Sequence, residues 1–181
     1  MAQFKRNNKK SFLSKITKYY YQSKIGASGP STDFDSFVYL MRFPKNIFLG
    51  DGAYIKGNAR ICPCNPDATI TIGANTTVGY NTIIFSSKKI TIGHDCMIAP
   101  NVYIVDSDHG MDRSMLMNAQ ENVTDEVVIE NDVWLGTGAV ILKGTYIPEG
   151  CVIAANSVVK GTLEPYTIYG GVPARKIGER K

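Results

Sequence analysis

A chain of 181 residues, 44% hydrophobic and 20% charged, is long enough to bury one sizeable core. Its net charge of +4 belongs to one end: residues 1 to 24 carry seven cations and no acid, leaving 13 basic and 16 acidic residues in the rest. An isolated basic tract on a slightly acidic body argues against nucleic acid as a partner; no stretch approaches the ~20 apolar residues of a membrane span, and the N-terminus lacks the apolar core of a secretory signal, so the expected location is the cytoplasm.

In chain order, residues 1–46 read as a basic arm and cap, 47–178 as one repeat domain and 179–181 as a tail. The arm holds Lys5, Arg6, Lys9, Lys10, Lys15, Lys18 and Lys24. Within it Phe12, Ile16, Tyr19 and Tyr20 fall at helical spacing, which predicts a short basic amphipathic helix. Two readings stay open for that helix. It covers the open end of the repeat stack and blunts its strand edges, or it makes weak contact with an anionic membrane surface.

From Leu49 onward, apolar residues recur every sixth position: Leu49, Ile55 and Ile61; Ile72, Val78, Ile84 and Ile90; Ile92, Ile98 and Ile104; then Ile129, Leu135, Ile141, Ile147, Ile153 and Val159. Small residues sit four positions later in the last run, at Val133, Ala139, Thr145, Cys151 and Ser157. This period predicts an all-β parallel β-helix, in which three short strands close one triangular coil and the leading aliphatics stack inside the prism. Asn75, Asn81, Asp95, Asn101, Asn131, Asp132 and Asn156 fall at or beside corners, where a positive φ is least costly for them. The spacing leaves the hand of the coil open.

Four cysteines do not form a convincing metal or disulfide pattern. Cys96 and Cys151 occupy small-residue slots and are expected inside; Cys62 and Cys64, in ICPCNP, are a lone C-x-C pair, a weak zinc signal. No metal is expected. Of the two histidines, His94 reads as an exposed corner. His109 ends the Ile92–Ile98–Ile104 run and opens an irregular stretch to about Glu126, so residues 106–127 are predicted to be extruded as a loop. Long irregular excursions in compact solenoids tend to be functional.

The segments IAPNVYIVDSDHG and VVIENDVWLGTGAVILKGTYIPEGCVIAANSVVKGTLEPYTIYGGVPARKI resemble those of the hexapeptide-repeat acyltransferases. Within that superfamily the chain is most similar to the sugar O-acetyltransferases, over about residues 47 to 178. The resemblance implies a left-handed β-helix, acetyl-CoA as co-substrate, a saccharide acceptor, and a homotrimer with active sites at subunit interfaces. It implies His109 as general base, because a neutral sugar hydroxyl is a poor nucleophile until its proton is removed. Asp106 or Asp108 would hold the imidazole, Asp106 being preferred because Asp108, adjacent to His109 in an extended chain, should point away; either aspartate could instead cap the loop, and in many relatives a backbone carbonyl orients the ring.

For the donor, the resemblance points to Thr137 and Ala155 as backbone contacts to pantetheine and to Lys160, Arg175 and Lys176 near the nucleotide end. Trp134 would flank the site or sit in the trimer contact. For the acceptor, the family's asparagine falls at Gly79 here, which puts a simple galactoside or maltose acceptor in doubt. Asn81 is a substitute or a corner residue, and Met111 lines an acceptor pocket or packs on a neighbouring subunit. The expected function is O-acetylation of a capsule, lipopolysaccharide or exopolysaccharide precursor. The alternatives are N-acetylation of a nucleotide-linked amino sugar, an antibiotic acetyltransferase, and a non-catalytic trimeric scaffold.

Overall fold

In the computed structural model, which describes residues 12–181, the hexapeptide registers become coils. Lys5, Arg6, Lys9 and Lys10 of the arm lie outside the described residues, as does the side chain of Phe12. Two six-stranded sheets and one eight-stranded sheet form the three faces of a prism, here called A, B and C in chain order. All pairings along the prism are parallel except the last on face B. Face A stacks Leu49, Ile72, Ile92, Ile129 and Ile147 in one column. Face B stacks Ile55, Val78, Ile98, Leu135 and Ile153, and face C stacks Leu40, Ile61, Ile84, Ile104, Ile141 and Val159.

Three residues of a run therefore make one trip round the prism, and the six from Ile129 to Val159 make two; a two-to-four-residue strand is enough because its partners lie in the coils on either side. Nearly all the column residues are fully buried, each contributing roughly 1.5–3 kcal/mol by leaving water. Truncating one of them, for example Ile104→Ala, opens a cavity at a cost of about 2–5 kcal/mol.

The corners explain the polar residues. Asn58, Asn75, Asn81, Asp95, Asn101, Asp132 and Asn156 all have φ between 55° and 60°, the left-handed region that Asn and Asp tolerate best. Asn131 does not; its side chain instead accepts a hydrogen bond from the His94 amide at 3.0 Å. The small slots hold more than small volume. Thr76 and Thr82 donate to the carbonyls of Gly93 and Ala99 at 2.7 and 3.1 Å, and the Cys96 and Cys151 thiols reach the carbonyls of Glu130 and Glu164. A hydroxyl or thiol here satisfies a corner carbonyl that alanine would leave without this bond.

Both ends are covered. The helix Phe12–Lys24 lies against the strand Asp33–Phe34. Its anchor is Tyr21, whose ring meets Phe34 with centroids 5.1 Å apart and whose hydroxyl accepts from the Val38 amide at 3.0 Å. The stripe expected from the sequence is corrected by this: Ile16, Tyr19 and Tyr20 are exposed. Three adjacent tyrosines permit two helical stripes, and the one through Thr17, Tyr21 and Ile25, four residues apart, is the one that packs. At the other end Thr167–Gly171 joins face B, and Ala174–Glu179 folds back antiparallel on it after a cis Val172–Pro173 peptide. Among the described residues no helix is long and apolar enough to cross a membrane.

Candidate active site

The hexapeptide period breaks repeatedly, and each break falls at the corner between faces C and A. From the column residue of face C to that of face A, the chain takes nine residues at Leu40–Leu49, eleven at Ile61–Ile72, eight at Ile84–Ile92 and twenty-five at Ile104–Ile129, then returns to six at Ile141–Ile147. The extra residues cannot enter the prism without breaking its columns, so they accumulate outside it. Together they wall a cleft of about 590 Å³ that contains His109.

The floor of the cleft is a register column. Cys62 pairs with Phe85 and Phe85 with Val105 along face C; Met41 and Leu142 extend the same lining at its two ends. Cys64, Ser87 and Ser107 form a second row, with the Ser87 and Ser107 hydroxyls 3.1 Å apart. Arg42, itself at φ 52°, donates from Nη1 to the Cys64 carbonyl at 3.0 Å.

His109 leaves the prism on a two-stranded antiparallel ribbon, Ser107–His109 paired with Asn122–Thr124. The loop between these strands is held by Gln120, which accepts from the Asp112 amide at 2.8 Å and donates to the carbonyls of Asp112 and Met115 at 2.9 and 3.1 Å. The imidazole is exposed at the cleft and makes no hydrogen bond to any described residue in a single chain.

The preferred orienting group is corrected. Asp106 is fully buried and its carboxylate accepts from the Ser87 amide at 2.6 Å, the Ser86 hydroxyl at 2.7 Å and the Lys88 amide at 2.9 Å. Residues three apart in an extended chain face opposite sides, just as adjacent ones do, so Asp106 turns into the prism and fixes the Ser86–Lys88 turn. Asp108 lines the cleft, but its carboxylate faces the Lys143 ammonium at 3.8 Å. His94 is an exposed corner residue, its Nδ1 2.6 Å from Asp95.

Cys62 and Cys64 are free thiols with sulfurs 3.7 Å apart. Burial, followed by the neighbouring Cys64, pushes the Cys62 thiol up to about 12. Among the described residues no group of three or more His, Cys, Asp or Glu is placed to hold a metal.

The residues expected at the donor site lie elsewhere in the same chain. Thr137 and Ala155 are exposed at the corner between faces B and C in successive coils, while His109 follows the other end of face C, so one chain does not bring them together. Trp134 stands exposed on face B, in register with Met97 and Val152. Lys160 is exposed at the C–A corner, one coil beyond Leu142. Arg175 is exposed on the terminal hairpin, whereas the Lys176 ammonium is shared between Glu164 at 2.8 Å and Glu179 at 3.0 Å; these two carboxylates compete for the phosphate role expected of it.

Neither residue expected at the acceptor lines the cleft within one chain. Asn81, at φ 58°, occupies the B–C corner, the corner that carries Thr137 and Ala155, and is not part of the His109 cleft of its own chain. Met111 is 75% exposed toward the ribbon tip and does not line the cleft either. At Gly79, where the resemblance led to an asparagine being looked for, a Cβ would come 2.5 Å from the Ala99 carbonyl carbon, so the coil spacing leaves no room for a side chain. Sequence reasoning missed Arg42, Phe85 and Ser87; the shorter register breaks were the signal for them, and only the longest was read as functional.

Comparison with known proteins agrees with this architecture. The chain matches the models for the bacterial transferase hexapeptide (six repeats) over residues 126–161 and for the hexapeptide repeat of succinyl-transferase over residues 69–105. It is 34% identical over 112 residues to the galactoside O-acetyltransferase of Escherichia coli (strain K12), covering 62% of this chain and 55% of that protein. The hexapeptide-repeat-containing acetyltransferase VCA0836 from Vibrio cholerae superposes with a TM-score of 0.66 at 26% identity, covering 95% of this chain and 84% of that one. AntD, an N-acyltransferase from Bacillus cereus solved with dTDP and coenzyme A, gives 0.78 at 20% identity, covering 90% and 89%; at that identity the likeness concerns the fold. The matches to the curated relatives span about half of those proteins' own length. Repeat, coil and relatives agree that this chain belongs to the hexapeptide-repeat acyltransferase family.

Proposed function

We propose that the protein is an acetyl-CoA-dependent O-acetyltransferase that acetylates a saccharide hydroxyl, with His109 as general base. One observation carries the reading: successive corner insertions build a single cleft, and the ribbon places His109 in it with an imidazole that no described residue occupies. A base must be within hydrogen-bond reach of the proton it removes, and a ring already engaged with the protein would not be available for it.

In the reaction, His109 takes the hydroxyl proton as the sugar oxygen bonds to the thioester carbonyl carbon. The C–S bond then breaks, and the imidazolium returns the proton to the departing thiolate. A backbone N–H would stabilise the oxyanion between the two steps. Thr137 and Ala155 present their backbone at one corner in successive coils, the repeat a chain of amides such as pantetheine needs, and Lys160 and Arg175 are free to meet phosphate. In one chain Thr137 and Ala155 flank face C from the end opposite His109, which favours a trimer in which one subunit's donor corner faces the next subunit's cleft. The exposed Trp134 and the apolar ribbon tip, Met111, Met115, Leu116 and Met117, are surfaces that such packing would cover.

The test is a calorimetric titration with acetyl-CoA followed by an acceptor screen. Binding near one site per chain, with turnover on saccharides that His109→Ala lowers on the order of 10²-fold or more, is the expected result. A fully active His109→Ala variant refutes the base assignment. An acetyl product stable to mild alkali would turn the reading to an amine acceptor, and failure to bind the donor would leave a scaffold.

A further inference from the structure

The cleft that holds His109 does not end at Arg42. A second cleft of about 470 Å³, lined by Tyr20, Lys24 and Tyr39 among others, shares Met41 and Arg42 with the first. The two join at these residues: the floor of the first cleft, the column Cys62, Phe85 and Val105, runs along the prism axis toward Met41 and Arg42, where the second begins. The Arg42 guanidinium sits on the Cys64 carbonyl, two strand spacings from the coil that carries His109, or about 10 Å. That is farther than a substituent reaches from a hydroxyl on the same sugar ring.

The chemistry changes along this path. Asp108 is the one acid lining either cleft, and it faces Lys143. At the far end Arg42 keeps most of its guanidinium donors unused and pairs with no carboxylate among the described residues; its left-handed backbone aims it from the first corner insertion into the shared stretch. Beyond it Tyr20 and Tyr39 are 54% and 46% exposed, with Lys24 and Arg60 each 5.3 Å from a ring centroid. Exposed tyrosine rings offer a negative face to the polarised C–H groups of a sugar, and an unpaired guanidinium fits a carboxylate or phosphate in two-point fashion.

Building on the saccharide-acceptor reading, we propose that this groove binds an anionic saccharide longer than one unit, with Arg42 holding a carboxylate or phosphate beyond the sugar that is acetylated. Arg42 is thus a specificity residue, and the tyrosine shelf receives the next part of the chain. The acceptor of this enzyme is an acidic oligosaccharide or a sugar joined through phosphate, rather than a neutral monosaccharide.

The test measures binding to the full chain, without acetyl-CoA, of three probes: tetragalacturonate, maltotetraose and UDP-N-acetylglucosamine. Tetragalacturonate is expected to bind at least tenfold more tightly than maltotetraose, with an advantage that falls with added salt and collapses in Arg42→Ala. Arg42→Lys should keep part of it, since lysine supplies charge without the fork. Should the nucleotide sugar alone show the Arg42-dependent preference, phosphate is the anion and the groove stands. Equal affinity for acidic and neutral tetramers, equal weakening of both by Arg42→Ala, or no saccharide binding at all overturns the proposal. If Arg42→Ala fails to fold, the wild-type preference and its salt dependence decide alone. Donor titration is independent of these probes, so acetyl-CoA binding in the face of a negative result here leaves the transferase reading intact.

Discussion

Replacing Asp106 separates a structural carboxylate from a catalytic one. Asp106→Ala removes the acceptor for two backbone amides, Ser87 at 2.6 Å and Lys88 at 2.9 Å, and for the Ser86 hydroxyl. The hydroxyl keeps the Thr69 carbonyl at 3.1 Å, so the two amides carry the loss. Orphaning a buried donor costs about 1–3 kcal/mol, or about 4 for the pair. Relief from burying a charge returns part of that, leaving a net destabilisation of about 3 kcal/mol. For a domain of this length the midpoint of thermal unfolding should fall by roughly 6–12 °C. Chemical denaturation at fixed protein concentration measures the loss directly. The kinetic arm carries equal weight: a residue that only fixes the Ser86–Lys88 turn should leave the pH profile of turnover as it is in the parent. A variant as stable as the parent, but with that pH profile displaced, would mean that Asp106 acts on the imidazole after all.

Other outcomes follow from the same geometry. Gly79→Asn should destabilise by about 1–3 kcal/mol, because its Cβ meets the Ala99 backbone; an unaltered melting curve would show that the coils can part there. Tyr21→Phe should cost about 1 kcal/mol through the lost Val38 bond, while Tyr21→Ala should cost about 3–5 kcal/mol by uncovering the first coil. Because the Cys62 thiol is raised from 9.0 to about 12, the unfolded chain releases that proton first. Unfolding is then favoured as pH climbs through that window, and the stability is fully present below 9. At pH 8 Cys62 should resist iodoacetamide until the protein unfolds; rapid labelling of the native chain, mapped by mass spectrometry, would contradict the assignment.

The prism was legible in the sequence because each coil repeats the same demand. An aliphatic must point inward at every sixth residue, and nothing outside the coil competes with that pattern. His109 stood out for the complementary reason, since it sits where the pattern stops. Asp106 was misread because the spacing was judged on its neighbour Asp108 and not on its own parity with His109. Arg42 and Phe85 are marked in the sequence by nothing more than the shorter register breaks; they share a cleft with His109 because their coils stack in register, a relation between residues about twenty apart in the chain. The helix was legible as a helix but not in its packed side, which Phe34 and the Val38 amide select from outside it.

The ribbon that carries His109 also bears on how the coils assemble. Hydroxyl bonds between adjacent coils elsewhere join residues 17 apart, as at Thr76–Gly93 and Thr82–Ala99, whereas the corner bond across the ribbon joins residues 37 apart, His94 and Asn131. Closing a loop about twice as long costs only about 0.6 kcal/mol more in chain entropy. If the prism forms by adding coils in turn, the step at Val127 is slower to start but hardly less favourable. In closure entropy, then, the longest excursion of the fold costs less than the worth of one hydrogen bond.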